Sequence, residues 1–340
     1  MRETPLPGRL YQAAPGFEDH LEDELRAAGA SIESGFGGVL RYTVRPPGGP
    51  VFWQRNVWLR PFLLEFDSIS DAARHLRNIQ RNWAPVLHTQ FRRGALIASR
   101  LPPLPDKSRL FPWLLPQVPM GAWTLLDPHT LAASAACTSP FPGGLIRFVE
   151  DKDGPPSRAY LKLWESLVRS RRWPQSGERC LDAGASPGGW TWALARLGAQ
   201  VIACDRAPLD SRVLGMRDDG GRPLVRWVRH DAFTLDPAEL GPLDWVFCDV
   251  ACYPPRLYEW VTKLISAGTC GNFVCTLKMQ GRPDNETARL FAEIPGGRVL
   301  HLCHNKHELT WMKIGNGQAN RNSPAESAPA GEVSSSFTAT

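Results

Sequence analysis

The chain has 340 residues, 43% of them hydrophobic, which is enough for two cores of ordinary domain size and a polar tail. Lys and Arg number 39 against 34 Asp and Glu, a net charge of +5 that permits a nucleic-acid partner without requiring one, so a binding surface has to be a local patch. Eight cysteines without a CxxC pair exclude a zinc-ribbon spacing. No run approaches eighteen apolar residues, and the first twenty residues lack a charged start followed by an apolar stretch, so a cytoplasmic protein with reduced thiols and no metal is expected.

In chain order, Pro15-Gly16-Phe17-Glu18 opens a predicted helix with Phe17, Leu21 and Leu25 on one face. Strands are predicted over Gly38–Val44 and Phe62–Phe66, a helix near Asp71–Gln80 and a strand near Ala95–Ser99; residues 100–119 are rich in proline. Residues 1–150 therefore read as a smaller α+β region. Thirteen tryptophans are scattered along the chain; most belong in the core, and an exposed one would be able to stack on a base. Asp151-Lys152-Asp153-Gly154-Pro155-Pro156 is a polar, turn-rich break, after which Ser157 is placed to cap a helix carrying Lys162. Lys162 lies between Leu161 and Leu163, and spacing alone leaves it exposed. Arg92-Arg93, Arg169-Ser170-Arg171-Arg172 and the stretch from Arg222 to Arg229 are the basic clusters, each either a solvated face or part of an anion-binding patch.

The most informative segment is Cys180-Leu181-Asp182-Ala183-Gly184-Ala185-Ser186-Pro187-Gly188-Gly189-Trp190-Thr191. It joins a short apolar strand to a helix with Ala193, Leu194 and Leu197 on one face, stopped by Gly198. Gly184, Gly188 and Gly189 let a ligand lie against the backbone, where free amides and the helix end favour its polar and anionic atoms. The spacing matches neither G-x-x-x-x-G-K-[ST] nor G-x-G-x-x-G, so pyrophosphate is not the expected guest. An Asp-x-Gly opening followed by Pro-Gly-Gly-Trp suits S-adenosylmethionine, whose carboxylate meets the loop amides. Four more strands follow. Val201–Asp205 ends in Asp205, placed for ribose hydroxyls; Val225–Asp231 ends in Asp231, suited to an adenine edge; Leu243–Asp249 ends in Asp249; and Gly271–Lys278 ends in Lys278. A single Asp at a strand end commonly just opens a turn, but here three follow the loop in order. The expected fold over 151–314 is α/β, Rossmann-like, with a doubly wound, mostly parallel sheet. Residues 315–340, rich in Gly, Asn, Ser, Pro, Ala and Thr, are expected to be a disordered tail.

The second half resembles the FtsJ-type S-adenosylmethionine-dependent methyltransferases that act on the ribose 2′-hydroxyl of RNA, and within them the branch acting on a cytidine of large-subunit ribosomal RNA. The matching segments are Pro156–Leu163, Asp182–Trp190, Trp245–Asp249, Leu277-Lys278 and His304–Thr310. The resemblance implies a methyltransferase domain with a seven-stranded sheet over 151–314, RNA, chiefly ribosomal RNA, as partner, and a Lys-Asp-Lys-Glu set around the reacting hydroxyl, which falls on Lys162, Asp249, Lys278 and Glu308. A ribose hydroxyl is a weak acid, so it needs a base and a fixed position on the methyl axis. Lys278 is the expected base in its neutral form, which burial and the like charge of Lys162 promote; Asp249 and Glu308 orient the lysines, and Lys162 stabilises developing alkoxide charge. Ala14-Pro15-Gly16-Phe17-Glu18 and, more weakly, Ser139-Pro140-Phe141 are similar to the amino-terminal half of the same branch, which implies a THUMP-type RNA-binding module there.

Other acceptors leave different marks. Base-amine methyltransferases carry Asn/Asp-Pro-Pro-Tyr/Phe after the fourth strand, whereas here the order is Asp249-Val250-Ala251-Cys252-Tyr253-Pro254-Pro255, with the prolines displaced. Cytosine-C5 chemistry needs a nucleophilic cysteine, for which Cys252 is the candidate, although the fifth strand carries Cys275-Thr276 in place of a Thr-Cys pair. A non-catalytic RNA-binding protein that kept the cofactor fold is the reading from a different class; it is favoured if Lys162, Lys278 and Glu308 do not converge around the cofactor methyl.

Overall fold

The computed structural model describes residues 1–315 except 34, 105–106 and 116–117; beyond Gly315, the expected tail lies outside the described residues. The amino-terminal region contains strands β1 (Arg2–Pro5), β2 (Arg9–Ala13), β3 (Ile32–Glu33), β4 (Leu40–Thr43), β5 (Gln54–Trp58), β6 (Phe62–Glu65), β7 (Trp83–Pro85), β8 (Gly121–Leu125) and β9 (Thr130–Ser134), with helices α1 (Glu18–Ala27), α2 (Ile69–Ile79) and α3 (Phe91–Ala98). They form an antiparallel four-stranded sheet, β3-β4-β2-β5, and a five-stranded sheet, β1-β6-β9-β8-β7, in which β7 runs parallel to β8. The predicted strand at Ala95–Ser99 is part of α3 instead. A short apolar run does not reveal its period; here Ile97 is buried and Leu96 exposed, and Gly94 lets α3 close on Leu87, whose Cδ1 would lie 2.4 Å from a Cβ.

The carboxyl-terminal half contains α4 (Tyr160–Ser170), β10 (Arg179–Ala183), α5 (Gly189–Ala195), β11 (Gln200–Cys204), α6 (Ser211–Leu214), β12 (Val225–Val228), α7 (Pro237–Leu240), β13 (Trp245–Cys248), α8 (Pro254–Ser266), β14 (Asn272–Lys278), α9 (Asn285–Glu293), β15 (Gly297–Leu300) and β16 (Glu308–Lys313). These strands form one seven-stranded sheet, β12-β11-β10-β13-β14-β16-β15, parallel except that β16 runs antiparallel to both neighbours. The chain winds outward from β10 to β12 and then returns to β13. The strand order therefore reverses between β10 and β13, which is where open α/β sheets take their ligands.

Both faces of this sheet are covered, so its strands are apolar on both sides. Alternate residues nonetheless enter two separate cores. Cys180, Val201, Ala203, Trp245, Phe247, Val274 and Met312 pack with α4 and α5. Leu181, Ile202, Cys204, Val246, Cys248, Phe273, Cys275, Leu309 and Trp311 pack with α8, α9 and also with Leu21, Leu25, Trp53 and Val57 of the amino-terminal region. The two halves thus share a core. Phe141, Ile146 and Phe148 likewise pack on α4, ahead of the expected boundary at residue 150.

Two expectations about α4 need correction. Ser157 does not cap it: Ala159 occupies the N-cap without a side-chain hydrogen bond, and the helix opens with Leu161 and Lys162 amides bonded to Arg158 and Ala159 carbonyls. Ser157 faces α5 instead, where its Oγ would lie 2.3 Å from a Cβ on Gly189. Nor is Lys162 exposed. One face of α4 lies on the sheet while Phe111 and Phe148 pack on Trp164, so every residue from Tyr160 to Val168 is buried.

Candidate active site at the carboxyl end of the sheet

The alternation that divides the cores also assembles the site. Asp182, Asp205, Asp249 and Lys278 continue the series that faces α4 and α5, because each lies an even number of residues from Cys180, Val201, Trp245 or Val274. Glu308 joins them because β16 pairs antiparallel with β14 in a register that sets Glu308 opposite Lys278. Lys162 arrives from the first turn of α4. Its Nζ lies 2.9 Å from Asp249 Oδ1 and 2.7 Å from Glu308 Oε1, and Lys278 Nζ lies 3.2 Å from the same Asp249 oxygen. One carboxylate oxygen therefore joins two ammonium groups. Lys162 also sits 5.7 Å from the centre of the Trp190 ring, which comes from the loop side. Three ion pairs thus link the four residues named from the resemblance into one chain, Glu308–Lys162–Asp249–Lys278.

The loop after β10 lies beside this cluster. Asp249 N donates to Ala183 O at 3.1 Å, which ties the end of β13 to the loop. Gly184 has φ +78°, and Val250 fills the place of its missing side chain, with Cγ2 2.6 Å from where a Cβ would be. Gly188, at φ +118°, caps α5, and Trp190 Nε1 donates to Ala159 O, joining the loop to the start of α4. Ser186 N and Ala207 N donate to the two Asp205 oxygens at 3.0 and 2.8 Å; Pro187 O accepts from Asp210 N at 3.0 Å.

Asp182 is buried beneath the loop. Its Oδ2 accepts from Thr191 Oγ1 at 2.6 Å, whereas Oδ1 has no partner among the described residues. Burial pushes its carboxyl up to about 7, with the charges of Asp249 and Asp205 adding to the rise. An unpartnered buried carboxylate oxygen under a glycine-lined loop fits a ligand that brings a cation or an N–H donor, as the amino group of S-adenosylmethionine does. Asp231 stands apart from the others: it caps a turn through Phe233 N, and its carboxylate is already engaged by Arg206 at 2.6 Å and Arg256 at 3.3 Å.

Three supporting residues escaped the sequence reading. Thr191 orients Asp182 from the first turn of α5. Glu165, three residues after Lys162 and fully buried, accepts from Arg169 Nε at 2.8 Å and from the backbone amides of Cys303 and His304. Burial would raise its carboxyl, yet Arg169 and His304 hold it well below the usual range. Glu165, Cys303 and His304 are close enough together to suggest a metal site, but the guanidinium and the two amides make this carboxylate the anchor of the β15–β16 loop. Asn305 completes that loop: Oδ1 accepts from Leu302 N at 2.7 Å, and Nδ2 points toward Glu308 Oε1 at 3.4 Å. The signal for Glu165 was its spacing from Lys162, which puts both on adjoining parts of one helix face.

Several sequence candidates are used otherwise. Arg169 serves Glu165, and Arg172 reaches Asn272 and lies 5.5 Å over the Trp245 ring, so this basic cluster is spent partly inside the fold. Ten of the thirteen tryptophans are buried, as expected of most of them, and Trp113, Trp173 and Trp227 are half-buried. Cys252 is buried and its thiol is pushed up to about 11 by that burial, a poor state for a nucleophile. No described helix is long and apolar enough to cross a membrane.

A switch-point glycine loop over a buried aspartate, next to a cluster of paired lysines and carboxylates, is the arrangement of a methyl-transferring enzyme. The FtsJ-like methyltransferase family pattern matches residues 155–319, and S-adenosylmethionine is the cofactor of this class. Ribosomal RNA large subunit methyltransferase M of Xanthomonas axonopodis pv. citri (strain 306) is 31% identical over 369 residues, covering 91% of this chain and 99% of that protein. The protein of the same name from Xanthomonas oryzae pv. oryzae (strain MAFF 311018) is 31% identical over 259 residues, covering 72% and 69%. The chain belongs to the ribosomal RNA large subunit methyltransferase M family, and is an S-adenosylmethionine-dependent methyltransferase.

Proposed function

We propose that the protein methylates a ribose 2′-hydroxyl of RNA, with large-subunit ribosomal RNA as substrate, and that Lys162, Asp249, Lys278 and Glu308 carry out the reaction. The observation that supports this best is the shared Asp249 oxygen, 2.9 Å from one lysine and 3.2 Å from the other. S-adenosylmethionine, when bound, supplies a methyl group already activated by its sulfonium. Asp182, Gly184, Ser186, Pro187, Gly188, Gly189, Trp190 and Asp205 hold it, Asp231 reaches its adenine edge only by exchanging Arg206 or Arg256 for it, and Asp249 adjoins both cofactor and substrate. The protein's own task is to make the hydroxyl a nucleophile. Lys278, paired with one carboxylate where Lys162 is paired with two, first gives up its own proton to solvent and then, as the neutral amine, accepts that of the hydroxyl. Lys162, held from two sides by Asp249 and Glu308, keeps a fixed positive charge beside the oxygen as negative charge develops on it. Asp249 and Glu308 fix the lysine positions, and with them the line of attack.

The amino-terminal region, 1–150, is the RNA-binding part in this reading, with a THUMP-type module as its closest description, and 151–314 is the catalytic part. Similarity to the Xanthomonas axonopodis protein over 91% of the chain supports a shared arrangement. The eight free cysteines suit a cytoplasmic setting.

Incubation with labelled S-adenosylmethionine and unmodified ribosomal RNA, followed by nucleoside analysis, tests the proposal. Label is expected on a ribose 2′-oxygen of the large-subunit RNA. Label on a base would overturn it, as would no transfer to RNA despite tight cofactor binding.

A further inference from the structure

With every tryptophan at least partly covered, Phe91 and Tyr253 are, among the described residues, the large aromatic side chains that stand exposed, and Tyr253 is the one that follows a site residue closely in the chain. It follows Asp249 by four residues, at most about 15 Å from Cα to Cα, and is 62% exposed. Its backbone is firmly held. Asp249 N is bonded to Ala183 O, Val250 fills the gap left by Gly184, and Cys252 N donates to Val250 O at 3.1 Å with the Cys252 side chain buried. Tyr253 is then the N-cap of α8, where Pro254 and Pro255 fix φ over the first two helical positions. The result is an aromatic ring presented to solvent on a rigid support. Among the described residues it has neither a ring contact nor a hydrogen bond through its hydroxyl.

Its neighbours carry the complementary charge. Arg256, three residues on along α8, has a side chain 55% exposed, which reaches Asp231 with one nitrogen at 3.3 Å and lies over the Phe233 ring, and Lys278 pairs with Asp249, four residues before Tyr253. An exposed ring beside cations is the chemistry by which proteins hold unstacked RNA bases: the ring takes the base face and the cations take phosphate. Resting on the ribose-methylation reading, we propose that Tyr253 is the stacking platform for the base of the nucleotide being methylated, so that stacking sets the position of its ribose against Lys278. The displaced Tyr253-Pro254-Pro255 sequence thereby acquires a role: the ring comes first and the prolines hold it.

The test uses the full protein, an RNA fragment containing the nucleotide found in the transfer experiment, and the same fragment with that one nucleotide abasic but its ribose intact. Tyr253→Ala is expected to raise KM for the intact fragment about 5- to 100-fold, with a smaller change in kcat. Its dissociation constant for S-adenosylmethionine and its melting temperature should match the native protein. Tyr253→Phe should restore native KM. On the abasic fragment the native enzyme should lose the same factor, and Tyr253→Ala should lose nothing further. An unchanged KM in Tyr253→Ala, a Phe variant as impaired as Ala, or penalties that multiply would overturn the stacking role while leaving ribose methylation intact. Failure of the native enzyme to methylate the intact fragment would overturn both.

Discussion

Asp182 shows how one residue's surroundings decide its chemistry. It lies at the end of a core strand, below a loop, with two other carboxylates nearby, and its proton is retained up to about pH 7. The free carboxyl of an Asp titrates near 4. Between those values the folded protein binds a proton that the unfolded chain does not, so this residue makes stability decline as pH rises through that window. A cofactor group that brings positive charge to Oδ1 prefers the ionised carboxylate, and below pH 7 the proton must leave first. The dissociation constant for S-adenosylmethionine should therefore rise as pH falls from 7 to 5.5, by at most about tenfold per unit. Asp182→Asn should bind weakly and without that slope over the same range. Calorimetric titration at several pH values measures both, and an equal slope in the two proteins would remove Asp182 from the cofactor contact.

At the scale of elements, the helix α4 and the β15–β16 loop hold each other. Glu165 is the link, and removing it leaves Arg169 as a buried charge and the Cys303 and His304 amides without their acceptor. Glu165→Ala should cost about 3–5 kcal/mol in denaturant unfolding. It should also lower kcat, because Asn305 and Glu308 take their places from that loop; a stable variant with native kcat would show the link to be dispensable. Such links explain which elements could be read from the sequence. The catalytic strands were legible because each is a short apolar run ending in a polar residue, and strict alternation then fixes which side chains share a face. Lys162 was legible as a motif but not as a buried residue, since the groups that surround it, Asp249, Glu308 and the Trp190 ring, all come from outside the helix. Most amino-terminal strands escaped notice: β3 has two residues and β7 three, too few to show a period, and at Ala95–Ser99 the period was misread.

Across the whole molecule, the amino-terminal region works as part of the scaffold for the catalytic sheet. Trp53 is buried, stacks on Phe17 at 5.5 Å, and donates through Nε1 to Asn285 of α9 at 3.0 Å, while His20 meets His307, the residue before Glu308, at 3.0 Å. Truncating Trp53 to Ala should cost about 3–5 kcal/mol and lower the melting temperature of both halves together. Scanning calorimetry showing two transitions, of which only the first moves, would contradict a shared core. That seam also carries the β16 side of the site, so the RNA-binding and catalytic parts of the proposed function meet where Glu308 is placed. The central claim is that the lysine pair on Asp249 drives methyl transfer to ribose, and the most direct measurement is single-turnover transfer to unmodified large-subunit ribosomal RNA by the native protein and Lys278→Ala, with S-adenosylmethionine affinity measured in parallel. A loss of about 10²- to 10⁴-fold in rate with native cofactor affinity is the predicted result; ribose methylation at the native rate in Lys278→Ala would contradict it.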